Sequence, residues 1–512
     1  MSPNQFFFFW LSLLISTTTA GAAEDLDVCS ITDQTVSGYC TCDPDDSEEV
    51  VTLKCNFWGT PSPSSGARLW STMGTLANVT FLEVTPRPAR SLKVLPAPEM
   101  FTALKKLTYF SVKYAEIVVL PSEVFGRSGS LSEIMLKDNG IRELDRAAFS
   151  GLKNLTKISL SDNLLKEINR HVFLGLPKLG GLYLDRNEIR VVHDRAFVEL
   201  GALEELDLKR NNLTVIAREV FSGLGKLVRL ELQDNAIEYL GDHVFADLVS
   251  LNELDLHDNQ IRSVSGTAFY GLSALGRLNL KGNKIVTLEA ATFVGMTSLY
   301  MLDVRANELE RVGEALVTPI WGNLKNASFQ VMMEGNRFTC SCDILWVQKI
   351  YAETASAYVK SELERLECNL FHHAEPQHGT KYVPSGRGRH LLYSSNVTLD
   401  PEGGGEESTT TLAFDGVKHV IKLNPADFKC HHHDHHKDLQ SDGNGPHGNG
   451  HHESKERIPT VSENKKNLGG QSHHESHVDT NASSGGGGGV TIWRGVKLFG
   501  IIVFLHRVVI IM

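Results

Sequence analysis

The stretch Leu155-Thr156-Lys157-Ile158-Ser159-Leu160-Ser161-Asp162-Asn163-Leu164-Leu165-Lys166-Glu167-Ile168 decides the fold, because its pattern returns along the chain. Asparagine recurs every 24 residues at Asn139, Asn163, Asn187, Asn211, Asn235, Asn259, Asn283 and Asn307. Phenylalanine keeps the same period at Phe101, Phe125, Phe149, Phe173, Phe197, Phe221, Phe245, Phe269 and Phe293. Around each Asn the apolar residues fall at fixed offsets, as with Leu155, Ile158, Leu160, Leu165 and Ile168 around Asn163. The alternation of Ile158 and Leu160 is that of a short strand with both side chains turned inward. The Asn follows where the chain bends, and its amide can bond backbone groups that a buried turn leaves unpaired. Each Phe comes ten residues later and fills the wide outer side of the coil. About ten such coils, at ~4.8 Å per strand, predict a curved parallel sheet roughly 45 Å long.

The pattern L-x-x-L-x-L-x-x-N-x-L resembles the leucine-rich repeat, an α/β solenoid or horseshoe with a parallel concave β-sheet. Ala115 stands where an earlier coil would have its Asn, and the region from about residue 78 is irregular. An open solenoid exposes apolar core at its two ends unless these are capped. The eight cysteines lie where caps belong, with Cys29, Cys40, Cys42 and Cys55 before the repeats and Cys340, Cys342, Cys368 and Cys430 after them.

Composition narrows the function. The chain has 512 residues, a formal net charge of −11 and 41% hydrophobic residues. The acidic balance argues against nucleic acid as a partner, because phosphate neutralisation needs clustered Lys and Arg. Residues 6–16 form an apolar run followed by the small-x-small site Ala20-Gly21-Ala22, which predicts a signal peptide over 1–22, although no cationic residue precedes the run. Secretion would place the cysteines in an oxidising compartment, which favours disulfides over a zinc site.

Cap motifs carry a closer resemblance. Asn336-Arg337-Phe338-Thr339-Cys340-Ser341-Cys342, then Trp346, Cys368 and Asp427-Phe428-Lys429-Cys430, resemble the cysteine-rich flanks of extracellular leucine-rich-repeat proteins. That resemblance, over about 28–430, implies the pairings Cys29–Cys42, Cys40–Cys55, Cys340–Cys368 and Cys342–Cys430; sequence alone permits others. Two departures are the long gap from Cys29 to Cys40 and the 61 residues between Cys368 and Cys430, which include the acidic Gly-rich segment 401–407. The predicted organisation is an N-terminal cap over 28–56, repeats over 76–335, a C-terminal cap over 336–430, a His/Gly-rich stalk over 431–485 and a hydrophobic tail over 486–512.

The tail, 498–512, is interrupted by His506 and Arg507 and is short for a bilayer span. Small residues upstream predict a lipid-anchor signal with attachment at Gly485, or at Ser484, Ser483 or Asn481. A spanning helix and a secreted form are the alternatives. The cluster His431, His432, His433, His435 and His436 opens a stretch poor in apolar residues, which reads either as a spacer or as a weak Zn²⁺ or Cu²⁺ site. No cofactor is expected.

Repeat proteins bind on the concave sheet. There the outward strand positions set an acidic column, Asp207, Glu231, Asp255 and Asp303, beside a basic one, Lys209, His257, Lys281 and Arg305. A third column alternates in sign through Glu205, Arg229, Glu253 and Arg277. These residues are the expected binding face; the alternative is a solvated surface that neutralises itself. Six sequons, at Asn78, Asn154, Asn212, Asn326, Asn396 and Asn481, all avoid those strand positions. No G-x-S-x-G, H-E-x-x-H or phosphate-cradling loop is present, so no enzyme is expected. With stalk and lipid anchor, the architecture resembles the connectin- and chaoptin-like insect adhesion proteins. That implies cell-surface recognition, with the chain binding itself or another surface protein. The competing functions are a ligand-binding co-receptor or pattern-recognition protein, and an extracellular metal-binding protein acting through the stalk.

Overall fold

A computed structural model describes Cys29 and residues 38–44, 50–58, 68–87, 89, 92–373 and 412–425. The signal peptide, the acidic segment at 401–407, Cys430, the stalk, the histidine cluster, the tail, Asn396 and Asn481 lie outside these residues. The chain divides into two units, 1–433 and 434–512, and every described residue belongs to the first.

One 13-stranded sheet runs through that unit. It opens with an antiparallel pair, Gly38–Pro44 on Val50–Trp58. From Val50–Trp58 onward every strand is parallel to the last, through Phe81–Arg87 and Tyr109–Val112 to Gln330–Met332. In the repeats each strand is three residues long, such as Lys157–Ser159 and Gly181–Tyr183, and its central residue points into the core. Neighbouring strands pair at a strict 24-residue offset, Glu205 with Arg229 and Arg229 with Glu253. The expected leucine-rich-repeat solenoid is the fold observed.

The asparagines hold the coils in register. All eight are buried. Asn187 Nδ2 donates to Leu184 O in its own coil and to Leu160 O in the coil before, each at 3.0 Å, while its Oδ1 accepts from Leu165 N at 3.1 Å. Asn211, Asn235, Asn259 and Asn283 repeat this set of contacts. At the irregular first coil, Ala115 N donates to Asn139 Oδ1 at 3.0 Å, so the following Asn still satisfies it. Asn336 closes the series, accepting from Leu309 N at 3.1 Å after a longer last coil.

One requirement is not visible in the apolar pattern. The residue before each ladder Asn is left-handed, with φ of 56° at Asp138, 52° at Arg186 and 54° at Arg210. Only Gly282 among these positions is a glycine, so the buried Asn contacts hold the conformation against its steric cost. The phenylalanines stack from Phe125 through Phe149 and Phe173 to Phe197 at 5.5, 5.6 and 6.2 Å, and the stack resumes from Phe221 through Phe245 to Phe269 at 5.9 and 6.0 Å.

Both ends are closed. Cys29 is bridged to Cys42, and Cys40 to Cys55 across the antiparallel pair, with Trp70 edge-on to Phe57 beneath. At the other end the Trp346 indole donates to Val312 O at 2.7 Å, and helices Trp346–Glu353 and Ala357–Arg365 cover the last coil. Cys340 is bridged to Cys368, and Cys342 is also disulfide-bonded.

Replacing Asn211 by Ala should strip three buried backbone groups of their partners at once and cost about 3 kcal/mol or more. Chemical denaturation would measure the loss. Limited proteolysis should show the first new cleavages within one coil of residue 211, since each coil is held mainly by its neighbours.

Candidate functional site: the concave sheet

The three-residue strands present their first and third side chains on the concave surface. The alternating column becomes a continuous ladder. Arg229 lies 3.1 Å from Glu205 and 2.9 Å from Glu253, and Arg277 lies 3.0 Å from Glu253. At its N-terminal end Tyr183 Oη donates to Glu205 at 2.5 Å, and Lys157 Nζ sits 5.0 Å from the Tyr183 ring centre. Gly181 makes room for this arrangement, because a Cβ there would meet Tyr183 Cε2 at 3.0 Å.

The acidic and basic columns do not stand free. Lys209 Nζ lies 2.5 Å from Asp207, and His257 Nδ1 lies 2.5 Å from Asp255. The Arg305 guanidinium grips Asp303 through Nε and the terminal nitrogen, the closest contact being 2.6 Å. Each acid is thus held by the residue two places on in its own coil. Glu231 accepts from the neutral Gln233 Nε2 at 2.7 Å and lies 4.0 Å from Arg229. Asp207 and Asp303 are buried, whereas Glu231 and Asp255 are half-buried. Of the acidic and basic columns expected as the binding face, most charges are therefore paired with each other within the chain. Residues two apart on a strand share a face, and that spacing lets a long cation fold back on its own acid. Lys281 is the exception. It is exposed and makes no ion pair with any described carboxylate, its backbone N–H donating to Asn279 Oδ1 at 3.2 Å.

Burial raises the Asp207 carboxyl above its ordinary value, opposed by hydrogen bonds from Lys209 and reinforced by Asp185. Burial also raises Glu231, opposed by Gln233 and reinforced by the negative charges of Asp255 and Asp207. The Tyr183 phenol is raised by burial and by the Glu205 carboxylate that accepts its hydrogen bond. The ladder, from the alternating third column, and Tyr183 join the acidic and basic columns on this face. Two aromatic residues, Phe81 and Tyr109, add to it at the N-terminal end, stacked in parallel at 4.3 Å. They were missed because they precede the first ladder Asn, where the 24-residue pattern does not apply.

Sequon residues Asn154, Asn212 and Asn326 are exposed and lie outside the concave strands, and the half-buried Asn78 also precedes its strand. Among the described residues no group of His, Cys, Asp and Glu is arranged to hold a metal, and no helix is long and apolar enough to cross a membrane.

The raised Glu231 fixes a sign. A carboxyl whose value rises on folding contributes stability that is complete below its unfolded value of about 4.3 and is lost as pH climbs through the folded one. Glu231→Gln keeps an acceptor for Gln233 and removes the charge. It should melt a few degrees higher than wild type at pH 7 and at the same temperature at pH 3, which calorimetry at the two pH values would measure.

A leucine-rich-repeat family model matches in overlapping segments, 129–189, 154–213, 181–237, 202–261 and 249–309. No curated protein matches the chain in sequence. Among solved structures, one of an octameric complex of latrophilin 3, Unc5D and FLRT2, the last contributing its leucine-rich repeats, is 20% identical with a TM-score of 0.47, over 65% of this chain and 90% of that one. The Leptospira interrogans leucine-rich-repeat protein LIC12759 is 22% identical with a TM-score of 0.47, over 68% of this chain and 84% of that one. The plant peptide hormone receptor RGFR1, solved with RGF2, is 20% identical with a TM-score of 0.42, over 54% and 42%. Residues 129–309 thus match the leucine-rich-repeat model, and the 24-residue coils built from them form a leucine-rich-repeat solenoid.

Proposed function

We propose that this is an extracellular recognition protein of the adhesion type, held at the outer face of the plasma membrane by a lipid anchor at or near Gly485, and that its concave sheet binds another surface protein. The observation that carries the reading is the state of that sheet. Its side chains are held by contacts within and between coils, from Lys157 and Tyr183 along the ladder to Arg277. A face already held in one arrangement loses little side-chain freedom on binding. The pre-paired charges also explain why a second copy is a poor ligand for the sheet: docking would desolvate pairs that already have partners. A partner would instead engage the ladder's exposed edges, the stacked Phe81 and Tyr109, and the unpaired Lys281. The sheet reads as a binding scaffold.

A glycan on the sheet tests this directly. Arg229→Asn together with Glu231→Thr creates a sequon at mid-sheet, on side chains that are exposed and half-buried respectively. Cells displaying this variant at wild-type density should lose at least about tenfold in capture of the partner found with the unaltered protein. Undiminished capture by a variant that carries the glycan would rule out the concave face. Phosphatidylinositol-specific phospholipase C should release the surface pool of the unaltered protein. Retention after complete digestion would favour a spanning helix.

A further inference from the structure

Off the concave sheet, one coil departs from its neighbours. Eight residues after the ladder position, Glu123, Ala147, His171, Arg195 and His243 are left-handed, while Thr267 and Ala291 further along are not; between Arg195 and His243, in the coil of Asn211, a short 3-10 turn, Arg218–Phe221, takes that place. Val191–Val192 pairs with Glu167–Ile168, and Tyr239–Leu240 with Ser263–Val264, but Val215 between them joins neither pair. The phenylalanine stack is interrupted between Phe197 and Phe221, within the same stretch. In this stretch a groove of about 570 Å³ lies on the flank of the solenoid, lined by Arg170, Arg190, Val191, His193, Asp194 and Val215 among others.

From it an exposed apolar stripe runs across three successive coils, Val191 and Val215 in the groove's lining and Tyr239 beyond, at 48%, 71% and 49% exposure. Two exposed charges flank the stripe, Arg190 in the coil before Val215 and Glu238 in the coil after. Neither makes an ion pair among the described residues, in contrast to most charges on the concave sheet.

We propose that this flank binds a second copy of the chain about a two-fold axis through Val215. An axis along the strand direction reverses the order of coils and keeps each position within a coil opposite its equivalent. Val215 then meets Val215 on the axis. The coil of Asn235 faces the coil of Asn187, which brings the Tyr239 ring of one copy to the groove at Val191 of the other, twice. The same symmetry sets Arg190 against Glu238, also twice. The complementarity ends one coil further out, where Lys166 would face Arg262. The contact is therefore confined to three coils, at the small and weak end of specific interfaces. Such a contact acts through many copies on one surface. It lies on a different face from the proposed ligand site, so either can fail alone.

The test uses the full chain on cells. Val215→Cys should give a disulfide-linked species of twice the mass on a non-reducing gel, because a residue on the axis meets its own copy. Val249→Cys, at 55% exposure away from the stripe, is the control and should remain monomeric. In the Val215→Cys background, Arg190→Glu or Glu238→Arg alone should cut crosslinking about tenfold, and the two together should restore it. Asn212, three residues before Val215, is a sequon, so crosslinking is read with it intact. Crosslinking that appears only after Asn212→Gln would overturn the proposal for the glycosylated protein. Equal crosslinking of Val215→Cys and Val249→Cys, or a charge swap that does not restore it, would overturn it outright.

Discussion

A short strand that turns sharply inside a protein leaves backbone groups facing the core without partners, and one side chain per coil answers for them. An asparagine amide both donates and accepts, so Asn187 can bond its own coil, the carbonyl of Leu160 and the N–H of Leu165 together. The contacts reach to the coil before, so they fix the spacing as well as the turn. The 24-residue period, the parallel register and the left-handed residue before each Asn follow from that constraint. Ala115 is tolerated because Asn139 reaches back to it, and Asn336 ends the series inside the C-terminal cap.

A strict period has consequences on the outer surface. Positions 24 apart become neighbours on adjacent strands, so alternating signs at 205, 229, 253 and 277 form a ladder. Positions two apart share a face, so an acid followed by a cation two places on becomes a pair within one coil, as at Asp303 and Arg305. The exposed pairs of the ladder contribute little to stability individually. Their effect here is to hold the shape of the face and to leave few charges free for a partner.

Where the period is kept but the backbone is not, the surface opens. The coil of Asn211 retains its Asn and Phe, and both are buried. Its outer half nonetheless takes a 3-10 turn, and the groove and the exposed Val215 appear at that point. The flank is specified less tightly than the strand side, since the asparagine contacts hold only the strand and the turn that follows it.

The sequence by itself determined the solenoid, its parallel sheet, the buried roles of the asparagines and phenylalanines, and which residues share the concave face. All of these depend on periodicity, and periodicity is visible in a linear string. It also placed Glu205, Arg229, Glu253 and Arg277 in one alternating column. It did not determine which charges are spent. Whether Asp207 meets solvent or Lys209 depends on side-chain reach and burial across a curved sheet, and those distances exist only once the coils are stacked. The stacking of Phe81 on Tyr109 belongs to the irregular first coils, where no repeat guides the eye. The groove at Val191 is likewise lined by residues of neighbouring coils, from Asn169 to Ala217, which come together only once the coils are stacked.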